Sequence, residues 1–106
     1  MGLFSFFHRP DINAGVENFK STEGAMLIDV RTKEEYREGH IEGGVNLPLD
    51  ELGNAAKIIK DKNTPLFVHC LSGARSARAV NILRSMGYTN VTDIGGISSY
   101  KGKAVK

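Results

Sequence analysis

Three apolar runs stand out along the chain: Ala25 to Val30, Leu66 to Val68 directly after Pro65, and Val91 to Ile94. Near-continuous apolar stretches of this length, bounded by polar and turn residues, predict strands of a parallel sheet covered on both faces. A shorter strand is expected at Val45 to Leu47, stopped by Pro48, and an edge strand at Asp11 to Asn13, which makes about five strands. Between the runs the period changes. From about Ala74 to Met86, Ala79, Ile82, Leu83 and Met86 fall on one helical face and Arg78, Asn81 and Ser85 on another, with Gly87 as a stop. Thr32 and Glu35 have capping-box spacing, and Gly39 closes a short helix after them. Leu52, Ala55, Ala56 and Ile59 predict a further helix over Asp50 to Asp61, although Gly53 opposes it. Strand and helix thus alternate, which predicts an α/β domain with a mostly parallel sheet, right-handed crossovers and helices on both faces. Ligands of such sheets bind beyond the carboxyl ends of the strands.

A chain of 106 residues accommodates one small domain, expected over residues 11–106 after an N-terminal arm of residues 1–10. The arm carries Leu3, Phe4, Phe6 and Phe7, an apolar patch too short for a signal-peptide core or a membrane span. Phe6 stands where a myristoylation motif requires Ser or Thr. The arm is expected to fold back on the domain; a contact with a membrane or partner is the alternative. With a net charge of +2 and basic residues interleaved with acidic ones, nothing favours nucleic-acid binding. One cysteine cannot close an intramolecular disulfide, and His8, His40 and His69 lack zinc-ligand spacing. A reducing, cytoplasmic location and no metal or other cofactor are therefore expected.

The candidate chemistry lies in Leu66-Phe67-Val68-His69-Cys70-Leu71-Ser72-Gly73-Ala74-Arg75-Ser76, where an apolar strand enters a small-residue loop and then an amphipathic helix. Backbone N–H groups of such a loop converge on one point, and the helix N-terminus adds partial positive charge. Cys70 sits at the mouth of this anion cradle, where the helix dipole and Arg75 favour the thiolate. Four residues separate Cys70 from Arg75, a C-x-x-x-x-R spacing that makes a tight bowl. Arg75 is expected either to hold an anionic substrate or to tie the loop to the rest of the domain. Arg78, one turn further, is expected to steer anions from the surface. Asp29 and Arg31, at the carboxyl end of the first apolar run, are expected to form a supporting ion pair, with an acid/base role as the lesser alternative.

Three blocks, "LIDVRTKEEYREGHIEGGVNLPL" from Leu27, "VHCLSGARS" and "DIGGISSY" ending at Tyr100, occur in the order of the rhodanese family, which this chain resembles over about two-thirds of its length. The resemblance implies a single rhodanese-like domain and a ping-pong sulfurtransferase. In it Cys70 would take a sulfane sulfur from a small anionic donor such as thiosulfate, hold it as a persulfide, and pass it to a thiol or protein acceptor. Leu71, Ser72, Gly73, Ala74 and Arg75 match the family's substrate-binding loop. His40 and His69 are expected to be structural. Two departures stand out: Leu71 replaces a residue that is charged in many members, which puts thiosulfate preference in question, and Tyr100 stands where Trp is common. A partner-binding or sulfur-relay module of the same fold is the alternative function. Phosphatases and arsenate reductases with a cysteine loop are disfavoured because their bowl contains one more residue.

Overall fold

The computed structural model describes residues 10–106, so all of the expected N-terminal arm except Pro10 lies outside the described residues. The elements run α1 (Ile12–Ser21), β1 (Met26–Asp29), α2 (Lys33–Glu38), β2 (Gly44–Asn46), a 3-10 helix (Leu49–Asn54), α3 (Ala55–Ile58), β3 (Leu66–Cys70), α4 (Ala74–Ser85), β4 (Val91–Gly96) and a 3-10 turn (Ile97–Ser99). The strands form one parallel sheet in the order β2-β1-β3-β4.

The alternation of side chains along the strands explains the two-sided core. Ile28 of β1, Val30 just after it, and Leu66, Val68 and Cys70 of β3 face a cluster completed by Leu52, Ala55, Ala79 and Leu83 from the 3-10 helix, α3 and α4. Leu27 and Phe67 face the other way, onto Ile12 and Val16 of α1 and onto Ile41 and Ile94. Every residue of β3 is buried, as a central parallel strand requires. Cys70 therefore projects from the end of a central strand into the α4 side of the core.

Two expected elements differ from the structure. Asp11–Asn13 is no edge strand: Asp11 caps α1, its side chain accepting the Asn13 N–H, and Asn13 already lies in the helix. The sheet accordingly has four strands among the described residues where about five were expected. The expected helix from Asp50 to Asp61 is a 3-10 segment with a single α-helical turn after it, ending at Ile59 in extended conformation. Pro48 starts the segment and Gly53 lowers its helical propensity. The buried Tyr88 hydroxyl then fixes the chain by donating to the Ile59 carbonyl at 2.7 Å. Among the described residues no helix is long and apolar enough to cross a membrane.

Candidate active site

Cys70 ends β3, and Gly73, with φ of 111°, turns the chain directly into α4. A side chain would be strained at this backbone angle, so glycine is what lets so short a loop form. The consequence is a contact at the sulfur: the Gly73 N–H donates to Cys70 Sγ at 3.0 Å. The thiol is buried, with the residue 1% exposed, whereas neighbouring Leu71 is 42% exposed at the rim.

The loop is braced from β4. A bulge there opposes Val68 to Asp93 and His69 to Gly95, and the strand ends against Cys70 at Gly96. The Ser98 N–H donates to the Leu71 carbonyl at 3.0 Å. A Cβ on Gly96 would collide with that carbonyl oxygen and come within 2.6 Å of Ser72 Cα, both backbone atoms. Gly96→Ala is therefore expected to displace the cysteine loop and lower the melting temperature. An unchanged melting temperature in that variant would mean that the loop adapts freely.

Arg75 makes a two-pronged ion pair with Glu35, at 2.7 and 3.0 Å, with side chains 32% and 28% exposed. Glu35 also completes the capping box of α2, accepting from Thr32 N at 2.9 Å while Thr32 Oγ1 accepts from Glu35 N at 3.2 Å. One carboxylate thus ties the start of α2 to the start of α4, the loop-fastening role. The Arg75 bond, assisted by the Thr32 donors and opposed by burial, lowers the Glu35 pKa from 4.5 to about 2. Because the folded value is depressed, the stabilisation is complete above about pH 4.5 and is lost as pH falls toward about 2. Glu35→Gln should flatten the loss of stability across that interval, as followed by urea unfolding at successive pH values. An identical pH dependence in the variant would assign the acid sensitivity to other carboxylates.

Asp29 and Arg31 form the expected pair in the interior: Arg31 Nη2 donates to Asp29 Oδ2 at 2.7 Å and Nε to Oδ1 at 3.0 Å, with side chains 1% and 6% exposed. Arg31 Nη2 also donates to the Gly39 carbonyl at 2.8 Å. His69 lies on the opposite side of β3 from the cysteine, and its Nδ1 meets the Cys70 carbonyl oxygen at 3.1 Å. Burial lowers its pKa despite nearby Asp29, which favours the neutral ring, and the carbonyl partner makes Nδ1 the donor. His40 stacks on Tyr36 at 3.8 Å and bonds the Tyr36 carbonyl through Nδ1. Both histidines serve the scaffold.

Two clefts flank the loop. One, of about 350 Å³, is lined by Ser72, Gly73, Asp93, Gly95 and Gly96 together with residues of the α1 start and the 3-10 turn after β4. The other, of about 420 Å³, contains Arg75 and Arg78 over Val30, Leu49 and Ile82. Arg78 is exposed there and has no ion-pair partner among the described residues. The structure adds two groups to the residues expected at the site: Ser76 Oγ, 3.5 Å from Cys70 Sγ, and the Asp93 carboxylate, 2.8 Å from Ser76 Oγ. Their signal in the sequence was the continuation of the two blocks beyond Arg75 and before the Gly95-Gly96 pair.

A parallel α/β sheet whose central strand delivers a lone cysteine to a tight loop and the start of a helix defines a class of cysteine-loop domains. A family model described as Rhodanese-like domain matches residues 13–103, and the chain belongs to that family. It is 40% identical over 80 residues to thiosulfate sulfurtransferase PspE of Escherichia coli, covering 74% of this chain and 77% of PspE. It is 35% identical over 91 residues to the adenylyltransferase and sulfurtransferase uba4 of Ogataea parapolymorpha, covering 85% of this chain but only 23% of that much longer protein. A solved structure described as rhodanese with anions from E. coli superposes with a TM-score of 0.72 at 38% identity, covering 77% of this chain and 98% of that one.

Proposed function

We propose that this domain is a sulfurtransferase that takes a sulfane sulfur from a small anionic donor such as thiosulfate onto Cys70 and passes it to a thiol or protein acceptor in a ping-pong cycle. The observation that carries the reading is the Gly73 N–H on Cys70 Sγ at 3.0 Å, at the point where β3 meets the N-terminus of α4. A donor placed there stabilises negative charge on sulfur, and the helix end adds to it. In the first half-reaction the Cys70 thiolate attacks the outer sulfur of thiosulfate. The new S–S bond forms on the enzyme as the sulfur–sulfur bond of the donor breaks, and sulfite leaves with that bonding pair. In the second, an acceptor thiolate attacks the outer sulfur and Cys70 leaves as thiolate. With no second cysteine in the chain to resolve the persulfide, the acceptor is another molecule.

The N–H groups of Leu71, Ser72, Gly73, Ala74 and Arg75 are assigned to the persulfide and the departing sulfite, and Arg75 holds the bowl closed through Glu35. Asp29 and Arg31 support the strand end. The exposed Leu71 gives the rim an apolar contact suited to a protein acceptor. A reducing, cytoplasmic setting fits a lone thiol of this kind, and the proposed cycle calls for no cofactor. The four-residue spacing within C-x-x-x-x-R favours a single sulfur atom over a tetrahedral oxyanion seated on the thiolate. Intact mass spectrometry after incubation with thiosulfate tests the assignment. Gain of one sulfur atom, removed by a small thiol or cyanide, is the expected result. An unchanged mass under conditions that load a known rhodanese would overturn it.

A further inference from the structure

Cys70 is buried, yet the thiol must lose its proton before it can attack. Among the described residues, two hydrogen-bonding groups reach Sγ: the Gly73 N–H at 3.0 Å and Ser76 Oγ at 3.5 Å. The first is itself a donor and cannot accept a proton, which leaves the serine oxygen. Ser76 is fully buried and has a single hydroxyl proton for three oxygens, Asp93 Oδ1 at 2.8 Å, the Gly73 carbonyl at 3.0 Å and the Gly95 carbonyl at 3.4 Å. The nearest of them is also the charged one, and a charge-assisted bond is the stronger. The serine proton is therefore drawn to Asp93, and a lone pair faces the cysteine. Asp93 Oδ1 is fixed in turn by the Gly95 N–H at 3.0 Å, within the bulge of β4. The same carboxylate lines the 350 Å³ cleft beside Ser72 and Gly73, so the chain of polar atoms from the buried thiol ends at a cleft wall.

We infer that Ser76 and Asp93 form the exit route for the Cys70 thiol proton, an inference that rests on the reading of Cys70 as the nucleophile. The Sγ–H bond breaks and its electron pair stays on sulfur. The proton passes to Ser76 Oγ, whose own proton moves to Asp93 Oδ1 and from there to solvent in the cleft, leaving Asp93 ionised again. Ser76 is then a catalytic residue in contact with the reacting atom, and Asp93 is a positioning residue acting through it.

Asp93→Asn separates this role from a structural one. The asparagine oxygen can still accept from Gly95 N–H and Ser76 Oγ–H, so a purely structural Asp93 predicts alkylation that is unchanged, or faster through the loss of a negative charge near the thiolate; slower alkylation is expected only where the carboxylate takes the proton. At pH 7 the variant should be alkylated at Cys70 by iodoacetamide at least about tenfold more slowly than the wild type, and take up sulfur from thiosulfate in a single turnover more slowly by a similar factor. The KM for thiosulfate should stay within about twofold, because the loop that binds the donor is untouched. Wild-type alkylation in a folded Asp93→Asn protein would overturn the route. Should that variant not fold, Ser76→Ala and Ser76→Thr decide the question: slow alkylation in the first and recovery in the second support the route, and equal rates in both exclude it. Alkylation involves no sulfur transfer, so it judges the proton route even if the wild type fails to form a persulfide, a failure that would count against the sulfurtransferase reading instead.

Discussion

The Cys70→Ser protein is expected to fold as the wild type does and to transfer no sulfur. Cys70 is the chain's only cysteine, and its Sγ is the atom that Gly73 N–H and Ser76 Oγ converge on. A serine there is nearly isosteric, and its oxygen can still accept from Gly73 N–H, so the buried polar contact survives at a cost of about 1 kcal/mol or less. What is lost is chemical. A hydroxyl is scarcely ionised at neutral pH and does not form a persulfide, so no scaffold residue can compensate. Activity should fall to the uncatalysed rate in a thiosulfate and cyanide assay, and the mass of the variant should not change on exposure to thiosulfate. Residual turnover above background would place the sulfur carrier elsewhere, and an unfolded variant would show that the thiol has a packing role which the oxygen cannot fill.

Removal of Asp29 should have the largest effect on stability. Its carboxylate is 1% exposed and accepts three hydrogen bonds from Arg31 groups at 3.0 Å or less, two from the guanidinium and one from the backbone. Asp29→Ala strands a buried guanidinium beside the neutral His69 ring, with the Gly39 carbonyl as its remaining partner. Leaving one charge of such a pair unpaired costs about 3–5 kcal/mol. In a domain of this size that lowers the melting temperature by on the order of 15 °C or more. The double variant Asp29→Ala, Arg31→Met removes both charges and should recover much of the loss, since a paired interior charge adds little over a well-packed apolar replacement. A single variant that melts within about 3 °C of the wild type would mean that water reaches the pair.

Other features of the molecule divide according to the range of the interaction that sets them. Elements made by neighbours along the chain are legible from the order of residues alone. Apolar runs with no alternation marked β1 and β3 within a residue or two, because a central parallel strand is buried on both faces; β4, at the sheet edge, was marked by Val91 and Ile94, which are buried while Thr92 between them is exposed. Thr32 and Glu35 cap α2 as their spacing predicted, since both bonds of the box lie within one turn. The Cys70 loop and the start of α4 at Ala74 were legible because Gly73 and the amphipathic face from Ala79 to Leu83 are local signals. Helix α1 shows where that reading stops. Ile12, Val16 and Phe19 do have helical spacing after a capping Asp11, yet Gly15 argues against a helix. Its reason is tertiary: a Cβ at Gly15 would collide with the Ile94 side chain, so the glycine lets α1 lie close on the sheet. The same holds at the site. The sequence could place Cys70, Arg75, Asp29 and Arg31 near one sheet edge, but could not choose between a substrate and a structural role for Arg75. Only the fold brings Glu35 to it from 40 residues away, and Asp93 to Ser76 from 17 residues away, across the end of β4. Local spacing records which groups can meet within one turn or one strand; the order β2-β1-β3-β4 decides which distant carboxylate each of them meets.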